Sequence, residues 1–271
     1  MQCDQCGGEQ VTTAGKDRAG RQQYRCRACR HRLTERTASA FCGFQFPDDV
    51  IALAVHWYLW LRVPYADVAV LLAERGVHVD RSTVFDWVQR FAPLYMEAAR
   101  CKRHPVGQRW SIDETYVKVA GVWRYVYRAI DEDGQVVDVL LRERRDTEAA
   151  IAFFEQALET TDVRPSVVTT DKAAAYPPAL AQVLPEAEHI RGKMEQQRIE
   201  RDHGHLKSRV RSMRWFKTLA TAALFCRAHG FLRNLLQGFY DLGIVLGDPR
   251  RPQAPRLMRA WAELTQELQA A

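Results

Sequence analysis

The stretch RWSIDETYVKVAGVWRYVYRAIDEDGQVVDVLL, residues 109–141, alternates polar and apolar positions and is rich in β-branched and aromatic side chains. The pattern predicts strands over 109–119, 122–130 and 135–141. The DEDG segment before the third strand has the composition of a tight turn. We therefore expect three consecutive antiparallel strands, with Asp113 inside the first.

The elements after this stretch extend the pattern. Apolar residues recur at helical spacing over 147–159 and predict a helix. A short apolar strand over 166–170 ends directly before Asp171. Three antiparallel strands, a helix, another strand and further helices follow the order of the ribonuclease H-like fold. We therefore expect an α/β catalytic core with a mixed five-stranded sheet and flanking helices over 105–243.

Three acidic residues, Asp113, Asp171 and Glu200, are predicted to converge in such a core. Its first strand is central and its fourth lies beside it, so Asp113 and Asp171 would be neighbours. A helix lying across the sheet would supply Glu200. Carboxylates are the oxygen ligands of hard divalent cations, and two such ions can clamp the attacking and leaving oxygens of a phosphodiester. The trio therefore predicts a two-metal phosphoryl-transfer site.

The helix predicted over 196–213 carries Glu200, His203 and Lys207 on one face, because these residues are three and seven positions apart. This face offers a metal ligand and a cation together. We expect His203 to lie near the site without a catalytic role, since two-metal strand transfer needs neither a histidine ligand nor a histidine base.

Two adjacent acids are left out of the trio on geometric grounds. Glu114 follows Asp113 directly, so its side chain is expected on the opposite side of the strand. Asp202 lies two residues after Glu200 and is expected to face away around the helix.

The residues around the trio also carry a family resemblance over roughly 44–243. The segments that carry it are WSIDETYVKVAGVWRYVYRAIDEDG, TTDKAAAYP, RIERDHGHLKSRVRSMRWFKT and LAERGVHVDRSTVFDWVQRFAP. They resemble the DDE transposases of bacterial insertion sequences, and are most similar to the insertion sequence six family. The resemblance implies that Asp113, Asp171 and Glu200 form the DDE triad and bind two Mg²⁺ or Mn²⁺ ions. It also implies that Lys207 contacts the transposon end.

The same resemblance implies a function. The protein is expected to bind the terminal inverted repeats of an insertion sequence in double-stranded DNA, to cleave their 3′ ends and to transfer the strands into target DNA. Because two ends must be held together, a homodimer or a higher oligomer on DNA is the expected working unit.

Two features depart from the family pattern. The interval from Asp171 to Glu200 is several residues shorter than usual, and the common Asn-Asn pair before the glutamate is Gln196 and Gln197. The shortening would either trim the loop around 185–193 or shift the following helix. A catalytically inactive or domesticated sequence-specific DNA-binding protein stays open as an alternative. So does a ribonuclease H-like nuclease without strand-joining activity.

Four cysteines near the amino terminus form two CxxC pairs, Cys3/Cys6 and Cys26/Cys29. In a reducing compartment this spacing is typical of a zinc ribbon, which we expect over residues 1–40. Four thiolates leave no open coordination position, so one structural Zn²⁺ is expected.

Basic residues crowd the second CxxC pair and its exit, as they would in a small DNA-contacting ribbon. The expected DNA contacts are Arg25, Arg27 and Arg30, with Arg21, His31, Arg32 and Arg36 around them. The alternative is a solvated basic face without a partner.

Helical spacing over 47–62, over 64–75 and from residue 82 onward predicts three helices, the second ended by Gly76. Within 44–100 this order is the outline of a helix-turn-helix domain. The third helix would then contact DNA through its polar face, and a plain three-helix bundle is the alternative. The DNA contacts expected on this helix are Arg81, Thr83, Gln89 and Arg90.

Composition agrees with a nucleic-acid partner, since the 271-residue chain has a net charge of +6. No export signal is visible, and the longest apolar run, 50–61, is shorter than the roughly 20 residues that a membrane-spanning helix needs. We expect a cytoplasmic, nucleoid-associated protein. Residues 244–271 are predicted to form a linker and a helix that docks on its own chain or on a second protomer.

Overall fold

The computed structural model describes most of the chain. The described residues are 2–17, 20–61, 63–192, 197–213, 215–243 and 253–270, without the side chains of 197, 198, 200, 201, 212, 253 and 254. A small antiparallel sheet comes first, three helices follow, and a mixed sheet with helices on both faces forms the remainder.

The amino-terminal sheet contains β1 (Val11–Lys16), β2 (Gln22–Cys26) and β3 (Arg32–Leu33), in that order and antiparallel. Both CxxC pairs lie at the same end of this sheet, because Val11 at the start of β1 pairs with Cys26 at the end of β2. A zinc ribbon requires this arrangement. The segment after it is tied to the first helix because Arg36 forms an ion pair with Asp48 at 2.5 Å.

Three helices follow: α1 (Asp48–Trp60), α2 (Tyr65–Ala73) and α3 (Arg81–Arg100). The turn after α2 uses Gly76 at φ +77°, a conformation that glycine adopts without steric cost. Asp80 caps α3, because its carboxylate accepts a hydrogen bond from the backbone N–H of Ser82. The three predicted helices are therefore present, with a glycine-containing turn between α2 and α3.

Five strands form the larger sheet: β4 (Arg109–Val119), β5 (Val122–Asp131), β6 (Val136–Arg142), β7 (Val167–Thr170) and β8 (Glu188–Arg191). Their order is β6-β5-β4-β7-β8; β4, β5 and β6 are antiparallel, and β7 and β8 run parallel to β4. This topology confirms the predicted ribonuclease H-like core. The prediction of a loop around 185–193 is wrong for residues 188–191, which form β8. The sequence did not reveal this strand because it is short and has no clear apolar pattern.

Helices cover both faces of the sheet. One face packs against α4 (Thr147–Thr161) and α5 (Tyr176–Val183), and the other against α6 (Gln197–Ser212) and α7 (Leu219–Gln237). Side chains of β4 alternate between the two: Trp110 and Ile112 lie in the first core, and Val117 and Val119 in the second. Asp113 belongs to the row that faces α6.

The second core continues from the sheet into α1, α2 and α3. The last helix, α8 (Gln253–Ala270), joins it, since Trp261 stacks on Tyr95 at 4.0 Å and donates to the carbonyl of Ala52 at 3.1 Å. Of the two docking partners expected for this helix, the structure shows its own chain.

Helix α6 is held in place at both ends of its buried face. Near its start, the carboxylate of Asp202 pairs with the fully buried guanidinium of Arg128 on β5. Near its end, Arg209 donates to the carbonyls of Tyr58 and Leu59 at 2.6 and 2.9 Å. These carbonyls belong to the last turn of α1, where the helix dipole favours a cation. Among the described helices, none combines the length and apolar content needed to cross a membrane.

Candidate active site

Asp113 and Asp171 meet where β4 and β7 run side by side. The two strands are parallel, with Ser111 opposite Thr169, and Asp171 follows the last residue of β7. One oxygen from each carboxylate lies in a group whose members are all within 4.8 Å of one another. Sequence reasoning expected this pair to be adjacent, and the parallel register is the reason that they are.

Helix α6 lies next to Asp113. The Nδ1 atom of buried His203 is 3.7 Å from Oδ2 of Asp113. Burial, together with the charges of Arg128 and Lys207, lowers the pKa of His203 to about 3, so the imidazole is neutral at physiological pH. The helix therefore occupies the predicted place, and the shorter interval before it has not moved it away from β4.

Glu200 lies in the same helix, one turn before His203. The position of its side chain falls outside the described residues. The structure therefore brings together Asp113, Asp171 and His203, and gives for Glu200 only its place on the helix that packs against β4 and β5.

Glu114 is the residue that sequence reasoning missed. Its carboxylate lies within 4.8 Å of those of Asp113 and Asp171. We call the carboxylates of Asp113, Glu114 and Asp171 the acid cluster. The side chain leaves β4 on the other face, as expected. However, β7 ends at Thr170, so next to Glu114 the sheet has no β7 residue beside β4. Carboxylates from the two faces of β4 can therefore approach Asp171 together. Alternation along β4 predicts the face on which Glu114 lies, but it does not predict where the neighbouring strand β7 ends.

Asp202 is also more than a helix-surface acid. Besides Arg128, it contacts Arg233 at 3.4 Å, and its side chain is buried. Its partners come from β5 and α7, which a sequence pattern cannot bring together. Asp202 therefore anchors α6 to β5 and α7 and is not a member of the acid cluster.

Comparisons with known proteins agree with this geometry. A family model described as a DDE domain matches residues 107–238. Over 171 residues, the chain is 40% identical to the transposase for the insertion sequence-like element IS431mec of Staphylococcus aureus strain Mu50, covering 61% of this chain and 75% of that protein. The transposase for IS257 in transposon Tn4003 of Staphylococcus aureus is 39% identical over the same shares. The chain belongs to the DDE transposases of insertion sequences. The prediction from sequence is thereby confirmed, and so is the function of a DNA transposase, an enzyme that cleaves and joins DNA strands.

Solved structures similar to the transposase include retroviral integrases. The HTLV-2 integrase catalytic core domain in complex with magnesium has 20% identity and a TM-score of 0.33, covering 39% of this chain and 71% of that one. A chain of the simian T-cell lymphotropic virus intasome in complex with the PP2A regulatory subunit B56 gamma has 16% identity and a TM-score of 0.37, covering 63% of this chain and 62% of that one.

The transposase has a second group of potential metal ligands in its amino-terminal sheet. The Sγ atoms of Cys3 and Cys29 are 3.5 Å apart and those of Cys6 and Cys26 are 3.6 Å apart, and all four lie within 4.8 Å of one another. We call them the thiol cluster. Backbone N–H groups, chiefly that of Cys29, help to lower the pKa of Cys26 to about 6.

The residues expected to contact DNA differ in exposure. Arg25, Arg27, Arg30, Arg81 and Arg90 are exposed, and Thr83, Gln89 and Lys207 are half-buried. Two other arginines of the ribbon have internal partners instead.

Arg21 pairs with Asp17 at 2.7 Å, and Arg36 pairs with Asp48. Both guanidinium groups also donate to the carbonyl of Phe44. The positive surface of the ribbon is therefore smaller than its arginine content suggests.

Proposed function

We propose that Asp113, Asp171 and Glu200 are the catalytic triad of this transposase and hold two Mg²⁺ or Mn²⁺ ions. The observation that supports this most is that the carboxylate of Asp113, within β4, meets the carboxylate of Asp171, directly after the end of the parallel strand β7. Oxygen ligands at about 2.1 Å from one ion lie no more than about 4.2 Å apart, close to the span of these groups. Glu200 joins them in the proposal because it lies one turn from His203, which faces Asp113.

In the proposed reaction, a water oxygen attacks the phosphorus at the transposon end and the bond from phosphorus to the 3′ oxygen breaks. The freed 3′ hydroxyl then attacks a phosphodiester of target DNA. In this second step one phosphorus–oxygen bond forms as another breaks, so no outside energy source is needed. The chemistry supplied by bound divalent ions is polarisation of the attacking oxygen and stabilisation of the leaving oxygen.

Backbone groups orient the two aspartates for this role. The N–H of Glu114 donates to Oδ1 of Asp113 at 2.9 Å, and the N–H of Ala173 donates to Oδ1 of Asp171 at 2.8 Å. One oxygen of each carboxylate is therefore held in place by a backbone N–H. Such preorganisation lowers the cost of assembling a reactive geometry.

DNA recognition is proposed to lie in α3 and in the ribbon. We infer that α3 contacts the terminal inverted repeats through its exposed face, and that the ribbon adds phosphate contacts. The α3 residues are Arg81, Thr83, Gln89 and Arg90, the ribbon residues are Arg25, Arg27 and Arg30, and Lys207 would contact the transposon end near the triad. The net charge of +6 is favourable for binding a polyanion.

The thiol cluster is proposed to hold one structural Zn²⁺. Four thiolates at about 2.3 Å around a tetrahedral ion lie about 3.8 Å from one another. The two observed sulfur pairs, at 3.5 and 3.6 Å, are near this value. With four sulfur ligands, no position is left for a substrate.

We also propose that the enzyme acts as a homodimer or a higher oligomer, because both ends of an element must be joined to one target. Its place of action would be the cytoplasm, on nucleoid DNA, since the matched relatives belong to bacterial elements.

A strand-transfer assay with a labelled transposon end tests the triad. Asp113→Asn, Asp171→Asn and Glu200→Gln should each lower joining by about 10³-fold or more, since each removes several kcal/mol of charge stabilisation. Binding of the end should stay within about twofold in a gel-shift assay. Glu155→Gln, on the exposed side of α4, is the matched control and should join normally.

Full joining by any of the three variants would refute its place in the triad. Joining by the wild-type protein would exclude both the inactive alternative and a nuclease that only cleaves. In the same gel-shift series, Arg81→Ala with Arg90→Ala should weaken end binding and reduce its dependence on salt, and unchanged binding would refute α3 as the recognition helix.

A further inference from the structure

Arg145 contacts two of the three carboxylates in the acid cluster. It lies in the connection between β6 and α4. Its Nε and Nη2 atoms donate to the two carboxylate oxygens of Glu114 at 3.1 and 3.0 Å, and Nη2 also donates to Oδ2 of Asp171 at 2.8 Å. One guanidinium therefore bridges a proposed metal ligand and an acid outside the triad.

Glu114 is suited to anchor this arginine. Its side chain is 1% exposed, against 30% for that of Arg145. The phenols of Tyr127 and Tyr176 lie near it: burial raises the pKa of both, and the negative charge of Glu114 raises it further. A carboxylate this deeply buried needs a compensating cation, and the two-point contact with a guanidinium is a strong and directional way to supply one.

Asp171 differs from Glu114 because its side chain is partly exposed. Its Oδ1 accepts from the N–H of Ala173, and its Oδ2 accepts from Arg145, so both oxygens already have a donor. A divalent cation bound at Oδ2 would lie within a few ångströms of the guanidinium, and like charges at that distance repel strongly outside bulk water. The contact from Arg145 and a metal ion at Asp171 therefore oppose each other.

We propose that Arg145 is an internal counter-ion of the acid cluster, which neutralises Asp171 when no metal is bound and is displaced from it when metal binds. Glu114 keeps the guanidinium next to the site in both states, so that only the contact with Asp171 is exchanged. Arg145 is thus a positioning residue that sets the metal affinity of the site, and Glu114 is its anchor. This inference rests on the proposed role of Asp171 as a metal ligand.

Titration of the zinc-loaded full-length protein with Mn²⁺, followed by calorimetry, tests the inference without any reaction. Arg145→Ala should bind Mn²⁺ roughly fivefold or more tightly than wild type, because the competing cation is gone. Arg145→Lys keeps the charge but cannot bridge both carboxylates, so its affinity should fall between the two. Arg144→Ala removes an exposed charge from the same connection and should leave the affinity unchanged.

Thermal unfolding separates this role from a structural one. Arg145→Ala should lower Tm more without added Mn²⁺ than with it, so the rise in Tm on adding Mn²⁺ should be larger than in wild type. An equal loss of Tm in both conditions, or Mn²⁺ affinity within twofold of wild type or weaker, would overturn the proposal. If Arg145→Ala does not fold, the same comparison is made with Arg145→Lys.

Asp171→Asn distinguishes the two levels of failure. Wild-type Mn²⁺ affinity in this variant would refute the proposed metal site itself. Loss of Mn²⁺ binding in Asp171→Asn, together with unchanged affinity in Arg145→Ala, would leave the metal site in place and refute only the role of Arg145.

Discussion

The thiol cluster and the acid cluster are both suited to metal binding, but the chain assembles them in opposite ways. The thiols come in two CxxC pairs joined by one hairpin, so a short segment contains the whole set. The carboxylates of Asp113 and Asp171 meet only because β4 and β7 pair across a sheet. The first site depends on local geometry, and the second depends on the fold of the entire core.

The two clusters also differ in what balances their charge. The acid cluster has a cation from the protein, Arg145, against two of its members. Among the described residues, the thiol cluster has its sulfur atoms next to one another and backbone N–H groups around Cys26. Zinc is thus expected to be integral to the ribbon, whereas metal at the acid cluster is expected to exchange. Three experiments test this contrast.

The largest effect is expected from Cys26→Ser. Structural zinc contributes about 10–16 kcal/mol of apparent binding energy in zinc-finger peptides, so loss of one ligand should release the ion and unfold the ribbon. Zinc content should fall from about one ion per chain to none, measured by atomic emission, and hydrogen exchange over residues 2–40 should accelerate. Mn²⁺ binding at the acid cluster should persist.

Cys101→Ser, an exposed cysteine outside the thiol cluster, is the control and should keep its zinc. Unchanged zinc content in Cys26→Ser would remove the structural role of the cluster. Loss of Mn²⁺ binding in that variant would show that the two sites are not independent.

A smaller effect is expected from Asp202→Ala. The change leaves the fully buried guanidinium of Arg128 without its closest carboxylate, and breaking a buried pair costs about 3–5 kcal/mol. Urea unfolding should show this loss in the core, and strand transfer should fall because α6 carries Glu200. Zinc content should not change.

Glu97→Ala is the matched control, since the pair of Glu97 with Arg100 is largely exposed and should contribute less than about 1 kcal/mol. If Asp202→Ala were as stable as this control, the ion pair of Asp202 with Arg128 would not be needed to hold α6 against the sheet.

The smallest effect is expected from pH at His56, which lies in α1 near Trp261 of α8. Burial lowers the pKa of His56 to about 4. The unfolded chain takes up a proton below about pH 6.5 and the folded chain does not, so this stability is complete above pH 6.5 and is lost as pH falls towards 4. A shift of this size corresponds to at most about 3 kcal/mol.

Urea unfolding of wild type and His56→Gln at several pH values measures the pH-dependent contribution of His56 to stability. The difference in unfolding free energy between the two proteins should shrink by up to about 3 kcal/mol between pH 7 and pH 4. A difference that does not change with pH would mean that His56 does not couple acid to the core. Zinc content measured in parallel would show whether the ribbon fails at the same pH.

Elements with long, regular sequence patterns were predicted, whereas two short elements without such patterns were not. The bounds of β4 agree with the prediction, and α4 begins at the predicted residue. α5 and β8 were missed, since they have eight and four residues and no clear periodicity. Short elements of this kind depend on tertiary contacts, since β8 pairs with β7 and α5 packs against α4.

The candidate site shows the same division. Asp113, Asp171 and the helix with Glu200 followed from residue type and from the predicted order of elements. Glu114 and Arg145 did not, because one contact depends on where β7 stops and the other on the path of the connection after β6.

By itself, the sequence determined which residue types could hold cations, namely paired thiols near the amino terminus and carboxylates in the core, and the family of DNA transposases to which the chain belongs. These features are carried by residue types and spacings, which act within a few residues of chain. Only the tertiary structure decided that Glu114 joins the acid cluster, that Arg145 contacts two of its members, and that α8 docks on its own chain. Electrostatic and packing energies act through space, so distances across the fold decide them.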